Sequence, residues 1–251
     1  MTCRIAISGK GGTGKTTIAA LLIHAIIDAG KGPVLAVDAD PNANLHEALG
    51  VVIHETLGNM REDAFTRSIP PGMSRNEFIQ LRFRQVLVES AGFDLIAMGR
   101  PEGTGCYCFA HNLLCDAMRD LEREYPFIVI DAEAGMEHIS RGTVGRPDVL
   151  LIVSDPGARG MRTVGRIQEI AISLGFSPHS MYLVINRKKE AGSPQQAQSL
   201  PCIGVVPEDP AIEQADLQGE AIATVPVRGT ARKAVGAIAT RIMELCRNTG
   251  G

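Results

Sequence analysis

The ten residues SGKGGTGKTT at 8–17 restrict the fold more than any other stretch of this 251-residue chain. They follow a short apolar run, CRIAIS at 3–8, and open a helical pattern over 15–29. They fit G-x-x-x-x-G-K-(S/T) with Gly9, Gly14, Lys15 and Thr16. The glycines allow backbone amides to turn inward around an anion, and the helix N-terminus adds partial positive charge. Gly11, Gly12, Thr13 and Thr17 fall within the same cradle. Lys15 is expected to reach the β- and γ-phosphates of a nucleotide, and the Thr16 hydroxyl to ligate Mg²⁺.

Further apolar runs recur along the chain, at 34–38, 93–98, 127–131, 149–154, 181–186 and 202–206. They are continuously apolar rather than alternating, which is the pattern of strands buried on both faces of a parallel sheet. Helical patterns fall between them, at about 75–90, 111–124, 158–174 and 229–246. Strand–helix alternation over the whole length predicts an α/β fold, a doubly wound and mostly parallel sheet with helices on both faces. No repeat or low-complexity linker interrupts it, so residues 1–251 read as one domain.

The totals exclude several classes. Net charge is −3, which gives no global reason to bind nucleic acid. The longest apolar run, 18–27, is interrupted by His24 and too short to span a bilayer. The N-terminus has no signal-peptide plan. A cytoplasmic protein with reduced thiols and no stable membrane association is expected. Near the C-terminus, Val235, Ile238, Ile242 and Leu245 form a narrow apolar stripe of the kind that packs on a core. Segment 58–92, with Arg61, Arg67, Arg75, Arg82 and Arg84, reads as a solvated helix and loop. Its alternative is a partner-binding insertion.

Lys10 is not required by the general phosphate-loop motif. With it, the loop resembles the deviant phosphate-loop ATPases: the nitrogenase iron protein, MinD and ParA. That resemblance implies ATP as the nucleotide and a homodimer sandwiching two of them, with Lys10 of one subunit reaching the partner's phosphates. It implies a first switch in VDADPNANL, where Asp40 orients the attacking water and Asp38 stands near Mg²⁺. Asn44 departs from the iron-protein pattern, so no magnesium contact is expected there. A second switch is implied at DAEAGMEH, with Asp131 holding a water on Mg²⁺ and Gly135 binding the γ-phosphate. Glu133 and His138 are further polar groups in it. Asn186 and Arg187 end a late strand and, with Pro207, Glu208 and Asp209 of the next loop, are expected around the base and ribose.

Cys106 and Cys108 form a C-x-C pair in the loop after the 93–98 strand. Thiolates favour soft or borderline ions, and two sulfurs leave a coordination sphere half filled. A twofold partner would complete a four-sulfur site for Ni²⁺ or Zn²⁺. The pair, together with EHISRGT at 137–143, resembles the CooC-type maturation ATPases. This implies nickel insertion into a client of the carbon monoxide dehydrogenase/acetyl-CoA synthase type. Two alternatives remain: a positioning ATPase of the MinD/ParA kind, and an iron-protein-like reductase with an iron–sulfur cluster. Cys115, Cys3, Cys202 and Cys246 read as core residues.

Overall fold

The computed structural model describes residues 2–60, 70, 72–100, 121, 123–132, 146–189, 200–226 and 228–248. Eight strands form one sheet: β1 (Cys3–Gly9), β2 (Val34–Asp38), β3 (Val88–Ser90), β4 (Phe93–Ala97), β5 (Phe127–Asp131), β6 (Val149–Ser154), β7 (Met181–Lys188) and β8 (Cys202–Pro207). Their spatial order is β3-β4-β2-β5-β1-β6-β7-β8, and only β3 runs antiparallel, against β4. All residues of β2 and β6 are buried, as their unbroken apolar runs require.

Side chains leave the sheet alternately toward two cores. On one face Ile5, Ile7, Ala36, Val129 and Leu151 meet helices α1 (Lys15–Asp28) and α6 (Thr230–Asn248). On the other, Leu35, Val37, Ile130 and Ile152 meet α4 (Ala158–Ser173) through Val164, Ile167 and Ala171. The apolar stripe of α6 is committed to the first core: Val235, Ile238 and Ile242 are buried, and Leu245 packs against them. No helix among the described residues is long and apolar enough to cross a membrane.

Some local readings are corrected. The helix expected over 75–90 ends sooner: α3 spans Arg75–Val86, started by a Ser74–Glu77 capping box, and the chain then turns into β3. Pairing of Val88 with Leu95 and of Ser90 with Phe93 outweighs helix continuation there. Within the same segment, Met60, Phe78 and Val86 are buried and Arg82 pairs with Glu55, so part of it belongs to the core rather than to solvent. Two helices went unpredicted: α2 (Leu45–Leu49) and α5 (Pro210–Gln218), the latter with Asp209 as its N-cap and proline in its first turn. Cys3 and Cys246, expected as unpaired core thiols, are joined in a disulfide that links β1 to α6. The helix expected at 111–124, with Cys115, lies outside the described residues except for 121, 123 and 124.

Candidate functional site

Parallel strands deliver their carboxyl ends to one edge of the sheet, and β1 lies where the chain order reverses, between β5 and β6. Ligands bind at such a crevice. Burying polar groups is costly unless they are partnered or used, so their placement is informative. Among the described residues the buried polar side chains are Ser8, Thr13, Lys15, Asp38, Asp131, Ser154 and Asn186. All lie at this edge or in the loop that leaves it.

The phosphate loop runs from Gly9 into α1. Gly14, the N-cap, has φ 84°, a left-handed conformation that glycine adopts freely, and a Cβ there would lie 2.5 Å from Asn186 Nδ2. No side chain caps α1 and no acid lies in its first turn, so the free amides present an uncompensated positive end. The Lys10 carbonyl is folded inward. It accepts from the Thr13 hydroxyl at 2.8 Å and from Lys15 Nζ at 3.4 Å. The latter is a long bond, readily given up to a phosphate oxygen. Lys10 itself is exposed, as are Gly11 and Gly12.

Two residues at the end of β7 brace this loop. Asn186 Nδ2 donates to the Thr13 carbonyl at 2.8 Å, and Arg187 Nη1 donates to the Gly12 carbonyl at 3.1 Å. Arg187 does so from a left-handed backbone, φ 56°, unusual for a non-glycine residue. The Asn186 amide expected at the base is therefore engaged with the loop through its nitrogen, and its oxygen remains available to a ligand.

Asp38 is fully buried. One carboxylate oxygen accepts from the Asp40 amide at 3.1 Å and the other from the Leu45 amide at 2.8 Å. It thus organises the whole turn from β2 into α2. Burial pushes its pKa to about 7; these two backbone bonds oppose the shift, and the charge of Asp131 adds to it. Asp131, its register partner on β5, is raised to about 6, chiefly by burial, while a Thr16 hydrogen bond and the Lys15 charge pull it down. Its Oδ1 is buried without a hydrogen-bond partner. An orphaned carboxylate oxygen next to the Thr16 hydroxyl fits a hydrated magnesium ion, with Thr16 as ligand and Asp131 holding a coordinated water.

Two adjoining hollows open over these groups. One, about 650 Å³, is lined by Gly11, Gly12, Gly14, Lys15, Thr16, Thr17, Asp40, Asn42, Asn44 and Arg187, and also by Glu47, Asp216 and Glu220. The other, about 560 Å³, is lined by Thr17, Asn186, Arg187, Pro207, Glu208 and Asp209. Together they have the extent of a nucleotide-sized cleft. Asp209, however, is engaged by the framework. It accepts from Ala211 N at 3.1 Å, Ala231 N at 3.0 Å and the Thr230 hydroxyl at 3.1 Å, capping both α5 and α6. Partial burial raises its pKa, but those hydrogen bonds outweigh burial and hold it below the ordinary value. Sequence reasoning missed Asn42, Glu47, Asp216 and Glu220. Only the Asp-Pro start of α5 could have flagged the last two. Gly135, Glu133, His138, Cys106 and Cys108 lie outside the described residues.

A Gly-rich loop between the central strand and a helix, with Lys15, Thr16 and two buried aspartates converging on it, defines a P-loop nucleotide-binding ATPase. Residues 5–222 match the CobQ/CobB/MinD/ParA nucleotide binding domain, and the chain belongs to that family. It is similar to an ATP-binding protein of Methanocaldococcus jannaschii, 38% identical over 249 residues, 96% of this chain and 98% of the relative. It is also similar to the carbon monoxide dehydrogenase accessory protein CooC of Rhodospirillum rubrum, 32% identical over 86% of this chain and 88% of that one. The solved cell division ATPase MinD of Pyrococcus furiosus matches with a TM-score of 0.74 and 25% identity, covering 98% of this chain and all of its own.

These findings overturn the nickel-insertion reading. Among the described residues no group of three or more His, Cys, Asp or Glu could hold a metal ion. The fold matches a cell division ATPase along nearly its whole length. Nickel or zinc at the C-x-C pair, and a client of the carbon monoxide dehydrogenase/acetyl-CoA synthase type, therefore give way to the coarser statement: a MinD/ParA-like nucleotide-binding ATPase. The physical reason is that this fold carries many partners on a common nucleotide-binding machinery, so the phosphate loop and the two aspartates do not single out a client.

Proposed function

We propose that the chain is a MinD/ParA-like ATPase that binds Mg–ATP in the cleft, dimerises while the triphosphate is bound, and separates after hydrolysis. The observation that carries this reading is the pairing of a buried Lys15, its Nζ 3.4 Å from the Lys10 carbonyl, with an exposed Lys10 on the same loop. The first can serve the nucleotide of its own chain; the second is exposed, where the phosphates of another molecule can meet it. ATP rather than GTP is favoured by the M. jannaschii relative, whose name makes it an ATP-binding protein. Asn186 and Pro207 are assigned to the base, and Asp40 to the attacking water. Mg²⁺ would screen the phosphate charge. In this chain Thr16 and Asp131 would hold it, Lys15 would bind phosphate oxygen, and the α1 amides would orient the anion.

The apolar face of α6 is occupied by the core, so switching by release of this tail to a membrane is not part of the proposal. Steady-state phosphate release tests the reading. Wild-type protein should hydrolyse Mg–ATP, Lys15→Ala should fail to bind it, and Asp40→Asn should bind it but turn over at least tenfold more slowly. Equal turnover by all three would refute it.

A further inference from the structure

We infer that Arg100 and Asn42 are positioning residues for Asp40, forming a relay from the end of β4 to the carboxylate assigned to the attacking water. Asp40 Oδ1 accepts two hydrogen bonds from Asn42, from the backbone amide at 2.8 Å and from Nδ2 at 3.0 Å. The carboxamide oxygen of Asn42 in turn accepts from Arg100 Nη2 at 2.7 Å. A guanidinium on the oxygen of an amide polarises its N–H toward the next acceptor, so the chain of bonds is mutually reinforcing. One oxygen of Asp40 is thereby fixed, and the other is left to meet a water.

Both ends of the relay are mounted on rigid backbone. On the Arg100 side, the Met98 amide donates to the Asp38 carbonyl and the Gly58 amide to the Met98 carbonyl, each at 2.9 Å. Gly99 then turns with φ 62°, pressed on Thr56 so closely that a Cβ would lie 2.4 Å from its hydroxyl oxygen. That turn sends Arg100 across to the β2 exit. On the Asp40 side, the Ala43 amide donates to the Asp40 carbonyl at 3.0 Å, Ala43 is held at φ 52°, and the His46 ring contacts the Ala43 carbonyl at 2.6 Å. A left-handed alanine is strained and persists only where its surroundings over-determine it. The segment from 40 to 46 is therefore a fixed turn, and Asn42 is the point at which the β4 loop grips it.

The inference rests on the proposed role of Asp40, and the test separates the two. Steady-state ATP hydrolysis is measured for wild type, Asn42→Ala, Arg100→Ala, Arg100→Gln, the Asn42→Ala/Arg100→Ala pair, and Asp40→Asn with and without Arg100→Ala. Thermal unfolding serves as the check on folding. Arg100→Ala and Asn42→Ala should each lower kcat about tenfold, the scale of a misplaced catalytic group, with KM for ATP changed less than twofold. The double variant should be no slower than the slower single one, because the two act as a unit. Arg100→Gln, which keeps an N–H for the Asn42 oxygen, should recover part of the rate. In the Asp40→Asn background Arg100→Ala should have no further effect. Full kcat in Arg100→Ala, or multiplicative losses in the pair, overturns the relay while leaving the ATPase reading intact. Full kcat in Asp40→Asn overturns the relay together with the role proposed for Asp40, and the ATPase reading then stands or falls with Lys15→Ala.

Discussion

Asp38 and Asp131 stand opposite each other as register partners at the carboxyl ends of adjacent parallel strands, both buried. Two carboxyl groups so placed cannot both ionise cheaply, and neighbouring positive charge relieves the penalty. Asp131 has Lys15 nearby, whereas among the described residues Asp38 is held by the backbone amides of Asp40 and Leu45.

This sets a pH dependence. In the unfolded chain Asp38 releases its proton near its ordinary value of 3.8, while in the native protein it holds it until about 7. Between those values the native state binds more protons than the unfolded one, so stability falls as pH rises through the window. Chemical unfolding of the nucleotide-free protein at about pH 4.5, 6 and 8 should show a steeper decline for wild type than for Asp38→Asn. Equal slopes would mean that Asp38 titrates normally.

Asn186 holds the phosphate loop from behind. Asn186→Ala would leave the buried Thr13 carbonyl without its donor, at a cost of about 1–3 kcal/mol. The loop would loosen, so Mg–ATP affinity should fall along with the unfolding midpoint. Calorimetric titration and thermal melts on one preparation report both; an unchanged affinity would show that the loop needs no brace.

Arg187 separates backbone strain from function. Arg187→Gly relieves a left-handed non-glycine backbone, worth about 1 kcal/mol or more, while deleting the bond to the Gly12 carbonyl. Stability should hold or rise while nucleotide binding weakens. Loss of stability together with unaltered binding would contradict this assignment.

Asp209 caps two helices with one carboxylate. Asp209→Ala should destabilise the protein by roughly 2 kcal/mol, more than an ordinary single cap. Because hydrogen bonds hold its native pKa below the ordinary value, this contribution should be present at neutral pH and fade as pH falls below about 4. Denaturant midpoints at pH 7 and pH 3 check both statements.

The sheet was legible because strands covered on both faces write themselves as unbroken apolar runs, as 34–38 and 149–154 do. The phosphate loop was legible because its chemistry demands glycine, lysine and threonine at fixed spacing. The elements that escaped were short. Val88–Ser90 is held by its pairing with β4 rather than by a pattern of its own, and α2 is only five residues long. At the site, Asp38 and Asn186 were placed correctly at strand ends, but which backbone groups they bond depends on loop geometry that spacing does not encode. Asp209 was expected near the base and ribose from the resemblance; it lines the cleft, and the amides at the starts of two helices to which its oxygens bond are likewise not encoded by spacing. The C-x-C pair suggested a particular client, but two thiols fill only half a coordination sphere and specify no partner, whereas the nucleotide site is the one shared across the family.

Nucleotide-dependent dimerisation is the claim on which the proposed switch depends. Light-scattering mass, measured with Mg–ADP and with a non-hydrolysable Mg–ATP analogue for wild type and Lys10→Ala, tests it most directly. The account predicts one chain's mass for wild type with ADP, twice that mass with the analogue, and a single chain for Lys10→Ala in both. A wild-type mass that stays the same whichever nucleotide is bound would contradict it.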